Sequence, residues 1–582
     1  MNGESWRQST VANLGGLGRR LWTSSAQLGP VFLFFPTTQT EVCIPIATLP
    51  RLPRSAPCVH ALSRAEGIID DNVDIGMSIA GFNASPGCEQ AWSGRTRAKY
   101  TSISRRELSF AYLFHLTSMG SILSLVSLGF MGAFFSVASQ GMPDRTPLIH
   151  FSPKPALVAV KKGKDSDETE QLSLRTLVES RCQSLFTEFH PLWWLFNGHL
   201  QTIYCVFGDF SKNDRMSYSR KYLRLADGGT LGLDFAPADD SKLKVDTPIV
   251  VVKHGLTGGS YEPYVRAILH RACAPIEEGG LGYRAVVINF RGCAGVPITS
   301  PQLYSAGYTD DLRQALMFIS HKYSNAPLMG LGFSLGANVM TRYLAEEGDR
   351  TRLRSGCALA CPWDLAQNNQ GLLDSFTGKH VYSKGMGGNL QNLLKRHAKS
   401  LQTDPEHRVT KAMPLALGLK NPTLDKFDDT FTRVAGGSAP TFPFATAQDY
   451  YRWGSSHHVV KDIRVPFLAI NAADDPVVRY VPMDGGGNGL VIMELTPAGG
   501  HLGWFQAGDG FVDRWTTKPV LEWLKLTAED IVHDTKRSTQ RLYVDEDGYL
   551  REEGAPLLGC KEIDGGGIID GNGWEEGMLQ GL

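Results

Sequence analysis

The chain has 582 residues, 58 Lys and Arg against 59 Asp and Glu, and 42% hydrophobic residues. That is enough apolar material for one large core with additions, while a net charge of −1 without a basic stripe excludes nucleic acid as the main partner. Ten cysteines scattered without paired metal spacing read as reduced, packed thiols, so neither a metal site nor a disulfide framework is expected.

Residues 1–107 are rich in Ser, Gly, Arg and Pro and show no sustained periodicity. They read as a disordered or poorly determined extension. The stretch 108–138 contains no Asp, Glu, Lys or Arg, and 118–137 within it is long enough for one membrane crossing. A membrane anchor is expected there, as a single span or a monotopic hairpin, with the endoplasmic reticulum or a lipid droplet as the site. Arg95, Arg97, Lys99, Arg105 and Arg106 upstream, against Arg145 and Lys154 downstream, would hold the N-terminus in the cytosol. The one glycosylation sequon, Asn83-Ala84-Ser85, lies on that same side of the anchor and leaves the orientation open.

From 222 onward strands and helices alternate. Apolar runs at 222–225, 231–235, 249–253 and 284–289 predict an α/β architecture, a mostly parallel central sheet with helices on both faces. The run 249–253 ends in His254-Gly255-Leu256-Thr257-Gly258-Gly259-Ser260, which resembles the early His-Gly loop of serine hydrolases. By that resemblance the backbone N–H groups of Leu256 and Leu335 form an oxyanion hole, and His254 is an orienting or structural residue.

Gly332-Phe333-Ser334-Leu335-Gly336 follows the apolar stretch 328–331 and precedes apolar residues at helical spacing over 337–344. This is the pattern of a nucleophile elbow, in which glycines let the backbone turn so sharply that Oγ stands clear of the sheet. A serine hydroxyl is a poor nucleophile until a base takes its proton, so partners are required. A further strand is expected at 353–361. The excursion 362–464 is too long for a structureless loop and predicts a mainly helical cap. Within it Phe427, Phe431, Tyr450, Tyr451 and Trp453 are candidates for an acyl pocket, although core packing explains each equally well. Asp425, Asp428 and Asp429 match no calcium loop and read as a solvated or capping face. The His457–Asp462 spacing has the acyltransferase form and is expected to be chance.

The strand at 465–471 ends in Asp474-Asp475-Pro476, and the strand at 490–495 leads to Gly499-Gly500-His501. Ser334, Asp475 and His501 thus come in the order Ser, Asp, His, each just past a strand's C-terminal end, where ligand crevices form in α/β sheets. Asp475 fits the acid position better than Asp474 because it directly precedes Pro476-Val477-Val478. Beyond Lys525 the chain is charged and then glycine-dense, so 526–582 is expected as a flexible tail.

Four stretches make the resemblance specific: Trp193 through Thr202, with its Asn-Gly-His-Leu-Gln-Thr core; His254 through Ser260; Asn289-Phe290-Arg291-Gly292-Cys293-Ala294-Gly295; and Tyr304 through Asp311. On these, residues 173–525 resemble the α/β-hydrolase superfamily, in the membrane-associated branch with YheT-type esterases, yeast ethyl ester synthase/esterases and a yeast monoacylglycerol lipase. The resemblance implies Ser334 as nucleophile, Asp475 as acid and His501 as base, hydrolysing lipid-like acyl esters without a cofactor. The alternatives are acyl transfer that makes medium-chain fatty-acid ethyl esters, and a non-catalytic membrane-anchored receptor or scaffold.

Overall fold

The structure, a computed structural model, describes residues 144–163, 168–402, 404–508, 512–532 and 539–572. The expected extension at 1–107 and the anchor at 108–138 lie outside the described residues. Among the described residues no helix is long and apolar enough to cross a membrane.

Three short strands come first: β1 (Leu148–Phe151) and the hairpin β2 (Leu157–Lys161) with β3 (Thr169–Ser173). β4 (Ser217–Leu225) and β5 (Thr230–Ala236) follow as an antiparallel pair. The next four are β6 (Ile249–Lys253), β7 (Arg284–Asn289), β8 (Leu328–Phe333) and β9 (Ser355–Leu359). After a helical excursion come β10 (Phe467–Ala472), β11 (Val491–Thr496) and the small pair β12 (Phe505–Ala507) and β13 (Val512–Arg514). β14 (Leu542–Val544), β15 (Leu550–Glu552) and β16 (Cys560–Asp570) complete the set.

One 12-stranded sheet runs in the order β1-β11-β10-β9-β8-β6-β7-β5-β4-β16-β15-β14. Its centre, β11 through β7, is parallel throughout, and both margins are antiparallel. Strand alternation builds a core on each face. Ile249 and Val251 enter one core with Leu312 and Leu316 of the helix Asp310–Lys322 and with Val339, Met340 and Tyr343 of the helix Leu335–Glu347. Val250 and Val252 enter the other with Val265, Ile268 and Leu269 of the helix Pro263–Cys273 and with Val520 and Trp523 of the helix Thr517–Lys525. Burial on both faces is what near-continuous Val/Ile runs in parallel strands require.

Two expectations of extent are corrected. The sheet starts before residue 173, because β1 pairs antiparallel with β11 along its outer edge. The region 526–582 is not a flexible tail over its described part. The helix Thr517–Lys525 runs on through the turn Leu526–Asp530, and β16 then lies against the full length of β4, from Cys560 opposite Leu225 to Asp570 opposite Ser217. Its glycines accommodate a register shift between Ile563 and Gly567; a Cβ on Gly566 would fall 2.0 Å from the Arg220 carbonyl oxygen. The ordering comes from distant partners that local composition does not encode. Cys560 is buried against the helix Asp310–Lys322, its Sγ donating to the Gln314 carbonyl at 3.3 Å, and Arg352 pairs with Glu552 at 2.6 Å.

Between β9 and β10 stand the helices Leu365–Asp374, Lys384–Leu401, Arg408–Leu417 and Ala447–Gly454, joined by short helical turns and loops. Met386, Leu390, Leu393, Leu394 and Leu401 form the buried face of the longest one, the helical period expected of an amphipathic helix. The acidic cluster is solvated only in part: Asp429 is exposed, Asp428 is not. Asp428 is buried and accepts the Tyr451 hydroxyl at 2.8 Å, and burial pushes its carboxyl up to about 7. Asp429 caps the Ala447 N–H at 2.9 Å.

Candidate active site

Ser334 joins β8 to the helix Leu335–Glu347 with φ +49° and ψ −120°, a backbone state that costs a non-glycine residue about 1–3 kcal/mol. The surrounding geometry holds it there. Its N–H donates to the Leu359 carbonyl at 2.9 Å and its own carbonyl accepts the Ala337 N–H at 2.9 Å. A Cβ on Gly332 would lie 2.5 Å from the Ala337 Cα, and one on Gly336 would lie 2.3 Å from the Lys253 carbonyl oxygen. Both flanking glycines are therefore steric necessities: one lets the chain fold back on itself, the other lets the helix start touch the end of β6.

Three side chains from three strand ends meet here. The Ser334 hydroxyl is 2.8 Å from His501 Nε2, and His501 Nδ1 is 2.8 Å from Asp475 Oδ2. The other Asp475 oxygen accepts the N–H groups of Val477 and Val478 at 2.7 and 2.9 Å. With Oδ1 fixed by backbone, Oδ2 is aimed at the imidazole, which sets Nδ1 as the protonated nitrogen and leaves Nε2 to accept from serine. All three residues are nearly buried, Ser334 being 8% exposed. Asp474 does a different job. Its Oδ1 accepts the Gly500 N–H at 2.9 Å, one residue before His501, and burial pushes its carboxyl up to about 6.

The loop after β6 lies against Ser334: a Cβ on Gly255 would be 3.6 Å from that of Ser334. The N–H groups of Leu256 and Leu335 donate to no acceptor among the described residues. Their neighbours are spoken for, since Gly255 N–H donates to the Tyr264 hydroxyl and Thr257 N–H to the Tyr304 hydroxyl, each at 3.0 Å. His254 is buried under the same loop. Its Nε2 accepts the Phe290 N–H at 3.2 Å, so Nδ1 carries the proton and donates to the Gly255 carbonyl at 2.8 Å. Burial, with the adjacent Lys253 second, pushes this imidazole down to about 3, which keeps it neutral.

Several positioning residues escaped the sequence reading. Thr202 Oγ accepts the His501 N–H at 2.8 Å and donates to the Gly198 carbonyl at 2.7 Å. Gln201 accepts the Phe505 N–H at 2.7 Å and donates to the Leu195 carbonyl at 2.9 Å. The Asn-Gly-His-Leu-Gln-Thr motif is thus the clamp on the histidine loop, nearly 300 residues away in sequence (|i−j| = 299 for Thr202 and His501). Asn338, one turn into the elbow helix, donates to the carbonyls of Ala306 and Gly454 at 2.8 and 2.7 Å and so ties the cap to the elbow.

Of the aromatic candidates, Phe427 and Phe431 are fully buried in the main core. Tyr450, Tyr451 and Trp453 instead form a separate cluster with Phe442 and Phe444 that packs against Leu335, the residue after Ser334. His457 hydrogen-bonds the Trp363 carbonyl at 3.1 Å, and Asp462 sits in the short turn Val460–Asp462. The described cysteines are free thiols, and the described residues contain no group of three or more His, Cys, Asp or Glu suited to a metal ion.

The α/β hydrolase fold family profile matches residues 248–502, from the start of β6 to just past His501. A monoacylglycerol lipase of Saccharomyces cerevisiae is 30% identical over 419 residues, which cover 65% of this chain and 90% of the lipase. The chain belongs to the α/β-hydrolase family. Two other family members are close in sequence. The yeast medium-chain fatty acid ethyl ester synthase/esterase 2 is 29% identical over 58% of this chain and 86% of its own length. Phospholipase ABHD3 of Bos taurus is 27% identical over 57% of this chain and 77% of its own.

Proposed function

We propose that this α/β-hydrolase is a serine ester hydrolase acting on lipid acyl esters, with Ser334 as nucleophile, His501 as general base and Asp475 as the orienting carboxylate. The observation that carries the reading is the His501 imidazole, bridging Ser334 and Asp475 at 2.8 Å on each side. In the first half-reaction His501 Nε2 takes the hydroxyl proton as Oγ attacks the acyl carbonyl, and Asp475 stabilises the imidazolium that results. The free N–H groups of Leu256 and Leu335 receive the developing oxyanion, each such donor being worth about 3–4 kcal/mol in the transition state. His501 then gives its proton to the departing alcohol. Water attacks the acyl-enzyme by the same route in reverse and regenerates Ser334.

Lipid as the substrate class rests on two supports. The cluster of Phe442, Phe444, Tyr450 and Trp453 against Leu335 supplies an apolar wall one residue from the nucleophile, suited to an acyl chain. The similar proteins are named for monoacylglycerol, medium-chain ethyl ester and phospholipid chemistry. An active-site fluorophosphonate should label the wild-type protein at Ser334, and Ser334→Ala should lose labelling and turnover of monoacylglycerol and short-chain esters while keeping the same melting temperature within a few degrees. Undiminished hydrolysis by the alanine variant would overturn the reading.

A further inference from the structure

The helix Gly198–Phe207 carries no Asp, Glu, Lys or Arg. One face, with Gly198, Gln201, Thr202, Cys205 and Val206, is buried against the histidine loop. The opposite face presents Ile203 and Phe207 to solvent, and the turn leading into the helix adds Trp193, 85% exposed, and Phe196. A surface helix ordinarily turns charged or polar residues to solvent; this one turns Ile203 and Phe207 outward. The helix also touches the excursion between β9 and β10. His199 bonds the Tyr382 hydroxyl at 2.8 Å and stacks on its ring; Val381, next to Tyr382 in sequence, and Phe376, whose ring meets that of His380, are exposed.

What covers it is indicated by the chain that precedes the domain. Residue 145 is tied to this region: the Phe189 N–H donates to the Arg145 carbonyl at 3.1 Å and the Arg145 guanidinium donates to His190 at 2.8 Å. That join is three residues ahead of Trp193. The charge-free stretch 108–138 ends six residues before Asp144, a distance that extended chain spans in at most about 20 Å. Whatever apolar phase takes up that stretch therefore lies within reach of Trp193 and Phe196. Exposed Trp and Phe beside an uncharged helix face are the side chains that partition into the headgroup–acyl boundary of a bilayer.

We infer that the surface formed by Trp193, Phe196, Ile203, Phe207, Phe376 and Val381 docks on a lipid bilayer and holds the rim of the Ser334 site against the membrane from which its substrate comes. The docking itself stands independently of the ester-hydrolase reading; only its use, delivery of a membrane-held ester, rests on that reading. The helix then has two faces with two tasks, one in lipid and one clamping His501.

The test uses the full chain reconstituted in phosphatidylcholine vesicles, with and without bromine on the acyl chains. The fluorescence difference between wild type and Trp193→Phe isolates Trp193, and brominated lipid should quench that difference at least twofold. An unquenched difference overturns the proposal, whether a second copy or the 108–138 stretch covers the patch instead. The second measurement is a rate split. Phe196→Ser/Phe207→Ser should lower hydrolysis of a vesicle-embedded monoacylglycerol about tenfold while leaving a water-soluble butyrate ester within twofold; an equal fall on both would reduce the patch to a structural role and overturn the proposal. A protein inert toward both esters defeats the hydrolase reading alone, because the quenching still decides the docking.

Discussion

Gly198 and Asp474 are in backbone contact: a Cβ on Gly198 would fall 1.9 Å from the Asp474 carbonyl oxygen. No side-chain rotation relieves that overlap, since both partners are main chain. Gly198→Ala must therefore push Asp474 and with it Asp475, whose Oδ2 orients His501. The expected result is a fall in kcat of more than tenfold, with a loss of about 1–3 kcal/mol typical of overpacking. Urea unfolding and single-turnover kinetics on the variant check both, and an unchanged kcat would show that the clamp does not govern the acid's position.

The two adjacent aspartates separate cleanly by role. Asp475→Asn puts an amide where the Nδ1–H needs a carboxylate, and in such triads this change costs about 10⁴ in kcat. Asp474→Asn keeps a carbonyl oxygen able to accept the Gly500 N–H, so a reduction of no more than about tenfold is expected. Steady-state kinetics with one soluble ester discriminate the two; equal losses would mean that the pair acts as a unit.

Asp428 gives a pH dependence of stability with a definite sign. Its carboxyl is raised from 3.8 to about 7 by burial, with Thr432 and Tyr451 opposing through hydrogen bonds. A folded-state pKa above the unfolded one means that its contribution to stability is complete below about pH 4 and is lost as pH rises through about 7. Asp428→Asn does not titrate. The stability of wild type relative to this variant should fall across that window, by an amount of order 4 kcal/mol, and level off above it. Urea unfolding at several pH values tests this, and parallel curves would contradict it.

Glu494 on β11 is fully buried, and among the described residues neither carboxylate oxygen has a hydrogen-bond partner. Burial raises its pKa well above the ordinary carboxylate value. An unpartnered buried polar group costs about 1–3 kcal/mol, so Glu494→Met, which roughly conserves volume, should raise the melting temperature. Calorimetry at neutral pH measures it, and destabilisation would indicate a partner for this carboxyl.

The meeting of Ser334, Asp475 and His501 was legible because each carries a local signal, a strand followed by a turn-forming stretch, and because chain order restricts how such signals combine. The parallel centre was legible for a related reason: Ile249-Val250-Val251-Val252 has no polar alternation, which fits burial on both faces. The Asn-Gly-His-Leu-Gln-Thr stretch was visible as a pattern but not as a clamp, since Thr202 reveals its purpose only when the fold brings His501 to it. The burial of Asp428, within a cluster read as a solvated or capping face, was not legible because it depends on Tyr451, 23 residues on. β16 was hidden most completely. Its glycine-dense stretch reads as unstructured, and its pairing with β4 depends on residues from the opposite half of the chain.

That last strand has a consequence for biosynthesis. Lys221 on β4 bonds Glu562 on β16 across a separation of 341 residues. Until translation has delivered the C-terminal segment, β4 has a row of unpaired N–H and C=O groups along one side, the template for unwanted strand pairing. Chains that stop short of β16 hold that template open, and docking of β16 covers the β4 side of the sheet.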